Sequence, residues 1–236
     1  MTTPVSYELK DSVATITMND GKVNVMSIAM TSALNGALDR AASDRAVVVL
    51  TGRPGVFSAG FDLNTLREGG GAEAQKMVAQ GFELAYRMLS FPTPIVIACS
   101  GHAIAMGVFV LLSGDYRLGA DGPFKIGANE VAIGMTMPHF GVEMVRHRVA
   151  PTHFNRAVMF AEMFTPADAV TAGFLDRVVP AAELQNEAQK LAAAMTKLNM
   201  AVFTASKQRV REQAVKAVRA AIDADGGILT PASDRG

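Results

Sequence analysis

Two short runs constrain this fold more than any other feature of the sequence. Residues 46–50 read Ala-Val-Val-Val-Leu, and residues 95–99 read Ile-Val-Ile-Ala-Cys. Neither run alternates between apolar and polar positions. A strand with one wet face alternates, because successive side chains point to opposite faces; an unbroken apolar run of this length needs cover on both faces. Strands of that kind belong to a parallel sheet under helices. Each run is followed by turn formers, Thr51-Gly52 and Ser100-Gly101, and further on by helical spacing of apolar residues, so strand and helix alternate.

The remaining segments fit around that sheet. Strands are predicted over residues 6–9, 13–18, 115–118, 124–126 and 175–179, with Asn19-Asp20-Gly21 turning the chain after the second. A helix over residues 31–42 places Leu34, Leu38 and Ala41 on one face, a short helix covers 62–67, and a longer one over 74–91 ends at Pro92-Thr93-Pro94. A buried helix spans 106–113. From Phe140 onward the spacing is helical, over 142–149, 152–163, 166–172, 182–198 and 202–224. Thr165 is an N-cap, Pro166 a first helical residue and Gly173 a C-cap. The expected architecture is an α/β core over residues 1–180 and a helical C-terminal extension over 181–236. Gly69-Gly70-Gly71 reads as a loop tip, the chain beyond about residue 224 as a disordered tail, and no internal sequence repeat is found.

Composition excludes several classes. Lys plus Arg number 22 and Asp plus Glu number 22, so the formal charge is zero, against a general nucleic-acid binder or an electrostatic binder of membranes. Half of the 236 residues are apolar and 19% are charged, enough to bury a core. Cys99 is the one cysteine and sits in an apolar run; it is expected to pack in the core of a chain suited to a reducing compartment. Glu8, Asp11 and Asp20 interrupt the N-terminal region, unlike a signal peptide. The stretch from Pro94 to Gly114 is long enough to cross a bilayer, but Pro94, Ser100-Gly101-His102 and Gly107 divide it into strand, turn and helix. A cytoplasmic location without membrane contact is therefore expected. The sequence holds no G-x-S-x-G, no G-x-x-x-x-G-K-[ST], no G-x-G-x-x-G and no H-E-x-x-H, which disfavours serine hydrolases, P-loop enzymes, nicotinamide dehydrogenases and common zinc enzymes.

Three segments remain as candidates for chemistry. Val56 to Leu63 (VFSAGFDL) follows a buried strand and opens a short helix; Ser58, Ala59 and Gly60 let a ligand approach the backbone closely. Gly101 to Gly107 (GHAIAMG) repeats that arrangement. In Ile126 to Met135 (IGANEVAIGM) a lone carboxylate, Glu130, stands in apolar surroundings. Unpaired amides at helix starts favour negative charge, and can hold a carbonyl oxygen that becomes negative as an enolate forms. Desolvation raises a carboxyl pKa toward that of a useful base.

In this set of motifs the chain resembles the crotonase superfamily, the enoyl-CoA hydratases and isomerases. FSAGFDL (57–63) is similar to the family's first oxyanion motif, GHAIAMGVFVLLSGDYR (101–117) to its second oxyanion loop and helix, IGANEVAIGM (126–135) to the segment with a catalytic glutamate, and AVTAGFLDRVVP (169–180) to a later family segment. The resemblance implies a crotonase-like ββα spiral core and an acyl-CoA substrate of fatty-acid metabolism. It implies Glu130 as acid/base, with oxyanion amides at Phe61 and at Met106 or Gly107. It further implies Lys22, Val23 and Val25 along the adenine and pantetheine path, Ser58 and Ala59 giving backbone contacts to CoA, and Gly60, Asp62 and Leu63 among the CoA-binding residues. No permanently bound cofactor or metal is implied, and self-association as a homotrimer or a dimer of trimers is.

This sequence departs from the family pattern in two places. The second oxyanion loop reads Ala105-Met106-Gly107, where the family has a run of glycines. Hydratases of the family carry a further glutamate on the helix after that loop; here Phe109 stands at that position. Hydration needs a water held over C3, whereas a 1,3-proton shift needs one base, and the family's Δ3,Δ2-enoyl-CoA isomerases share an apolar residue there. The resemblance therefore favours an isomerase; a 2-enoyl-CoA hydratase and a non-catalytic acyl-CoA-binding protein are the other readings. Lys207, Arg209, Arg211, Lys216 and Arg219 near the C-terminus form either a phosphate-binding face or a solvated helix end.

Overall fold

The computed structural model describes residues 3–68 and 71–226. The chain opens with a hairpin of β1 (Val5–Lys10) and β2 (Val13–Met18), whose turn residues Asp11 and Ser12 both have positive φ, the geometry that matches strand twist in a two-residue turn. There follow α1 (Ile28–Ser43), β3 (Val47–Thr51), β4 (Gly55–Ser58), α2 (Leu63–Glu68), α3 (Ala72–Leu89), β5 (Ile95–Cys99), β6 (Gly101–Ile104) and α4 (Met106–Ser113). Next come β7 (Tyr116–Ala120), β8 (Ile126–Gly127), a 3₁₀ turn (Val131–Ile133), α5 (His139–Arg148), α6 (Pro151–Val158), α7 (Pro166–Ala172) and β9 (Arg177–Val179). A second 3₁₀ turn (Ala181–Glu183), α8 (Leu184–Met195) and α9 (Met200–Asp225) end the described chain. α1 begins three residues earlier than its apolar spacing predicts, because the Ser27 side chain accepts from the Met30 N–H and caps it.

The two apolar runs behave as expected. β3 and β5 are buried at every residue and lie side by side, parallel, in a six-stranded sheet of order β1-β2-β3-β5-β7-β9. Val48, Leu50, Ile95 and Ile97 face the core under α1 and α3, while Val47, Val49, Val96 and Ala98 face the core under α8. The C-terminal segment thus supplies one of the two faces that these strands require.

A second sheet of three parallel strands, β4-β6-β8, is not legible as a sheet in the sequence. Its strands are short, and β4 and β6 each begin with Gly inside segments that read as loop, while the strand predicted over 124–126 overlaps β8. Each strand of this small sheet follows one of the large sheet and leads to a helix or helical turn: β3-β4-α2, β5-β6-α4, then β7-β8 and the 3₁₀ turn at Val131. This is the expected ββα spiral, a structural repeat without a sequence repeat. It brings the three motif segments, at β4, β6 and β8, side by side.

One expectation for the C-terminal region is corrected. Lys207 and Arg211 are neither solvated nor free for phosphate. Both are buried and pair with Asp115, and Arg211 also donates to the carbonyls of Leu89, Ser113 and Gly114 at the ends of α3 and α4. α9 runs to Asp225, whose carboxylate accepts from the His139 and Phe140 N–H groups and caps α5. The expected tail from 227 on, and the loop tip at Gly69-Gly70, lie outside the described residues. Asp225→Ala removes that cap and should cost about 1 kcal/mol, a fall of roughly 2–4 °C in Tm for a chain of this size, with Asp225→Asn keeping most of it; thermal unfolding checks this.

Candidate active site

The first motif is held from below by loop 19–26. The Asp20 carboxylate accepts from the N–H groups of Lys22, Asn24 and Val25 at 2.7–3.0 Å. Burial alone pushes the Asp20 pKa up, but these amides outweigh it and hold it below its ordinary value. Asn24, fully buried at φ 53°, donates from Nδ2 to the carbonyls of Met18 and Phe57. The Ser58 hydroxyl donates to the Asn24 carbonyl at 2.7 Å and accepts from the Gly60 N–H. The Ala59 N–H donates to the Val23 carbonyl, and the Met26 N–H to the Gly60 carbonyl. Ser58 is therefore committed to the protein interior. Lys22 and Val23 are exposed beside Ala59, and Val25 is half-buried. Asp62 starts α2, its carboxylate accepting from the Asn64 N–H. Asp20 and Asn24 are not singled out by the sequence; an Asp-Gly turn closed by an Asn is the available signal.

The second motif turns on Ala105. It has φ 50° and ψ −125°, an unusual conformation for a residue with a side chain, and it sits between β6 and α4. Its carbonyl accepts from Val108 and Phe109, while the N–H groups of Met106 and Gly107 have no acceptor among the described residues. The Phe61 N–H has none among them either. The two loops touch: a Cβ placed on Gly60, at φ +91°, would lie 2.8 Å from the Ala105 Cβ and 3.2 Å from the Met106 nitrogen. The Met106 side chain is buried, and Gly81 of α3 makes room for both it and the Phe61 ring. Gly107 presses against the Ser58 backbone, which fixes the start of α4 over β4.

Glu130 follows β8 and is 5% exposed. Its Oε2 is buried without a hydrogen-bond partner, as is Oδ1 of Asn129. Burial pushes the Glu130 pKa up to about 7, opposed only by its own backbone N–H. Glu130 and Asn129 line a cavity of about 70 Å³ with Ala59 and Phe61 of the first motif and Ala105 of the second; Leu63, Leu66, Ile133 and Met135 supply its apolar remainder. A larger concavity of about 700 Å³ lies against the hairpin and the start of α1. Its one carboxylate, Asp20, is saturated by amides, so chemistry rather than size marks the candidate site.

Among the described residues no other titratable group lines this cavity. Phe109 is buried and meets Phe140 edge-on at 5.5 Å, so hydrocarbon fills its position on α4. Glu143 pairs with Arg146. Cys99 is a core residue whose thiol burial pushes up to about 12. Among the described residues no group of His, Cys, Asp and Glu is placed to hold a metal ion, and no helix is long and apolar enough to cross a membrane.

A single buried carboxylate, two touching loops with unpaired amides and a ββα spiral make a set suited to forming and holding an enolate. The family pattern described as enoyl-CoA hydratase/isomerase matches residues 8–234, and the chain belongs to that family. A crystal structure of an enoyl-CoA hydratase/isomerase family protein from Pseudomonas syringae superposes with a TM-score of 0.92 at 50% identity, covering 96% of this chain and 98% of that one. The chain is 31% identical to human mitochondrial enoyl-CoA delta isomerase 1 over 75% of its own length; the match spans 60% of the human protein, less than two thirds. It is also 31% identical to a putative enoyl-CoA hydratase of Thermus thermophilus, over 80% of this chain and 76% of that protein.

The raised pKa has a consequence for stability. Between the ordinary carboxyl range and about 7, folded Glu130 holds a proton that the unfolded chain releases, so stability falls as pH rises through that window. The cost above it is of order 3 kcal/mol. Glu130→Gln should therefore raise Tm at pH 8 and leave it nearly unchanged at pH 5; calorimetric scans at both values decide, and an equal effect at the two would refute the shifted ionisation.

Proposed function

We propose that this member of the family is an enoyl-CoA isomerase that moves a double bond from C3 to C2 of an acyl-CoA. The observation that carries the reading is one buried carboxylate with an unpartnered oxygen, in a cavity next to a helix where Phe109 leaves no second acid. Glu130 Oε2 takes a proton from C2, and the electron pair moves onto the thioester oxygen. The amides of Phe61 and Met106, unpaired among the described residues, receive that charge as an oxyanion hole. The same carboxyl then delivers its proton to C4 as the oxyanion collapses. A pKa near 7 suits a group that must accept and return one proton. The isomerase relative supports this reading and the hydratase relative supports the alternative.

The substrate side of the proposal places the CoA arm along Lys22, Val23 and Val25. Leu63, Val131 and Ile133 stand 44%, 43% and 46% exposed in or beside the cavity wall and offer an apolar path to the acyl chain. The chemistry needs no metal or redox group. Assembly as a homotrimer or dimer of trimers is proposed with it, supported by Val202 and Val210 of α9, 61% and 81% exposed, and checked by light scattering. A reducing, cytoplasmic setting is proposed from the lone, buried Cys99.

Turnover of 3-enoyl-CoA and 2-enoyl-CoA substrates with NMR of the products tests the reading. Expected is 2-enoyl-CoA from the first and little water addition to the second; the reverse assigns a hydratase, and binding without turnover of either assigns a carrier. Glu130→Gln should lower kcat by about 10²–10⁴ with acyl-CoA affinity nearly unchanged, and near-normal turnover would place the base elsewhere.

A further inference from the structure

We propose that Asn129 is a positioning residue for Glu130: its Oδ1 accepts the hydrogen bond of the protonated carboxyl group, and so holds the proton in place between its removal and its return. The catalytic part of this inference rests on the isomerase reading; the hydrogen bond itself does not.

The argument starts from two orphan acceptors. Oδ1 of Asn129 and Oε2 of Glu130 are both buried, both without a partner, and both residues line the same cavity of about 70 Å³. An unpaired buried acceptor forfeits its hydration without compensation, and two acceptors cannot satisfy each other while Glu130 is ionised. One proton on Oε2 converts it to a donor and satisfies both atoms at once. The two residues are consecutive in the chain, and both side chains line this one cavity.

Among the described residues lining the cavity, no charge competes for the proton. Besides Asn129, the described residues that line the cavity with Glu130 are Ala59, Phe61, Leu63 and Leu66 from the first motif and α2, Ala105 from the second motif, and Ile133 and Met135 from the following turn. None of these titrates. Asp62, at the start of α2, is turned to the Asn64 N–H and is not among the cavity residues. Desolvation raises the Glu130 pKa against its own backbone N–H, and Asn129 is the one neutral polar side chain among the described cavity residues. An acceptor for the acid form favours that form, and it also orients the carboxyl group, which must turn from C2 to C4 without losing its proton to solvent.

The test is a difference-infrared titration of the Glu130 carboxyl band in the free protein, identified by its loss in Glu130→Gln. Asn129→Leu keeps water out and removes the acceptor. Desolvation alone would hold or raise the Glu130 pKa, so a fall of about one unit, the size of one lost hydrogen bond, supports the proposal; an unchanged or higher value overturns it. Asn129→Ser, which keeps an acceptor oxygen, should recover part of the shift, and a Ser variant indistinguishable from Leu counts against the proposal. A second measurement covers poor folding of either variant. The carboxamide introduced by Glu130→Gln donates to Asn129 at every pH, so the Tm gain of that substitution at pH 8 should shrink in the Asn129→Leu background; full additivity overturns the hydrogen bond. In an active enzyme the acid limb of the kcat/KM profile moves down with the titration. A shifted titration without isomerase turnover sinks the isomerase reading alone, and turnover with an unshifted titration sinks the role of Asn129 alone.

Discussion

Burial of β3 and β5 on both faces is the constraint on which the rest depends. Strands that tolerate no wet face must be parallel, flanked by their own kind and roofed on each side. Roofing one face uses α1 and α3; roofing the other uses α8, from the far end of the chain. Parallel strands all leave the sheet in one direction, so the segments that follow β3, β5 and β7 emerge at one edge, where they pair as β4, β6 and β8. The cavity at Glu130 lies where that small sheet gives way to α2, α4 and the 3₁₀ turn.

α4 shows how the fold divides structural from chemical work along one helix. Its C-terminal carbonyls are occupied: Arg148 donates to Leu112 and Gly114, and Arg211 to Ser113 and Gly114. Asp115 balances Lys207 and Arg211 and accepts from the Ile95 N–H at the start of β5. Cations at a helix C-terminus complement its dipole. At the other end the first two amides are left without acceptors among the described residues, under the strained Ala105. Stability is supplied where the helix ends, and polarity is left available where it begins.

Glu130 carries the opposite balance. A carboxyl group with a buried, unpaired oxygen destabilises the folded chain at neutral pH, and no cation among the described cavity residues relieves it. Cores remove such groups unless they serve chemistry. Loop 19–26, Ser58 and Gly60 form one hydrogen-bonded unit that holds the first motif at the wall of this cavity.

Much of this was legible in the residues. The apolar runs at 46–50 and 95–99 required a covered parallel sheet, the cap residues Thr165 and Gly173 marked α7 to the residue, and the motifs around Gly60, Met106 and Glu130 announced the family. Local pattern is decisive in such cases because propensity, capping and burial act within a few residues. What only the tertiary structure decided depends on partners far apart in sequence. β4 and β6 are too short and glycine-rich to declare themselves and exist because they pair with each other. Lys207 and Arg211 look like solvent-facing cations until Asp115 and two helix ends are brought to them. The shift of Glu130 and the orphan oxygen of Asn129 arise from the cavity that three distant segments enclose, since desolvation is a property of the surroundings and not of the residue.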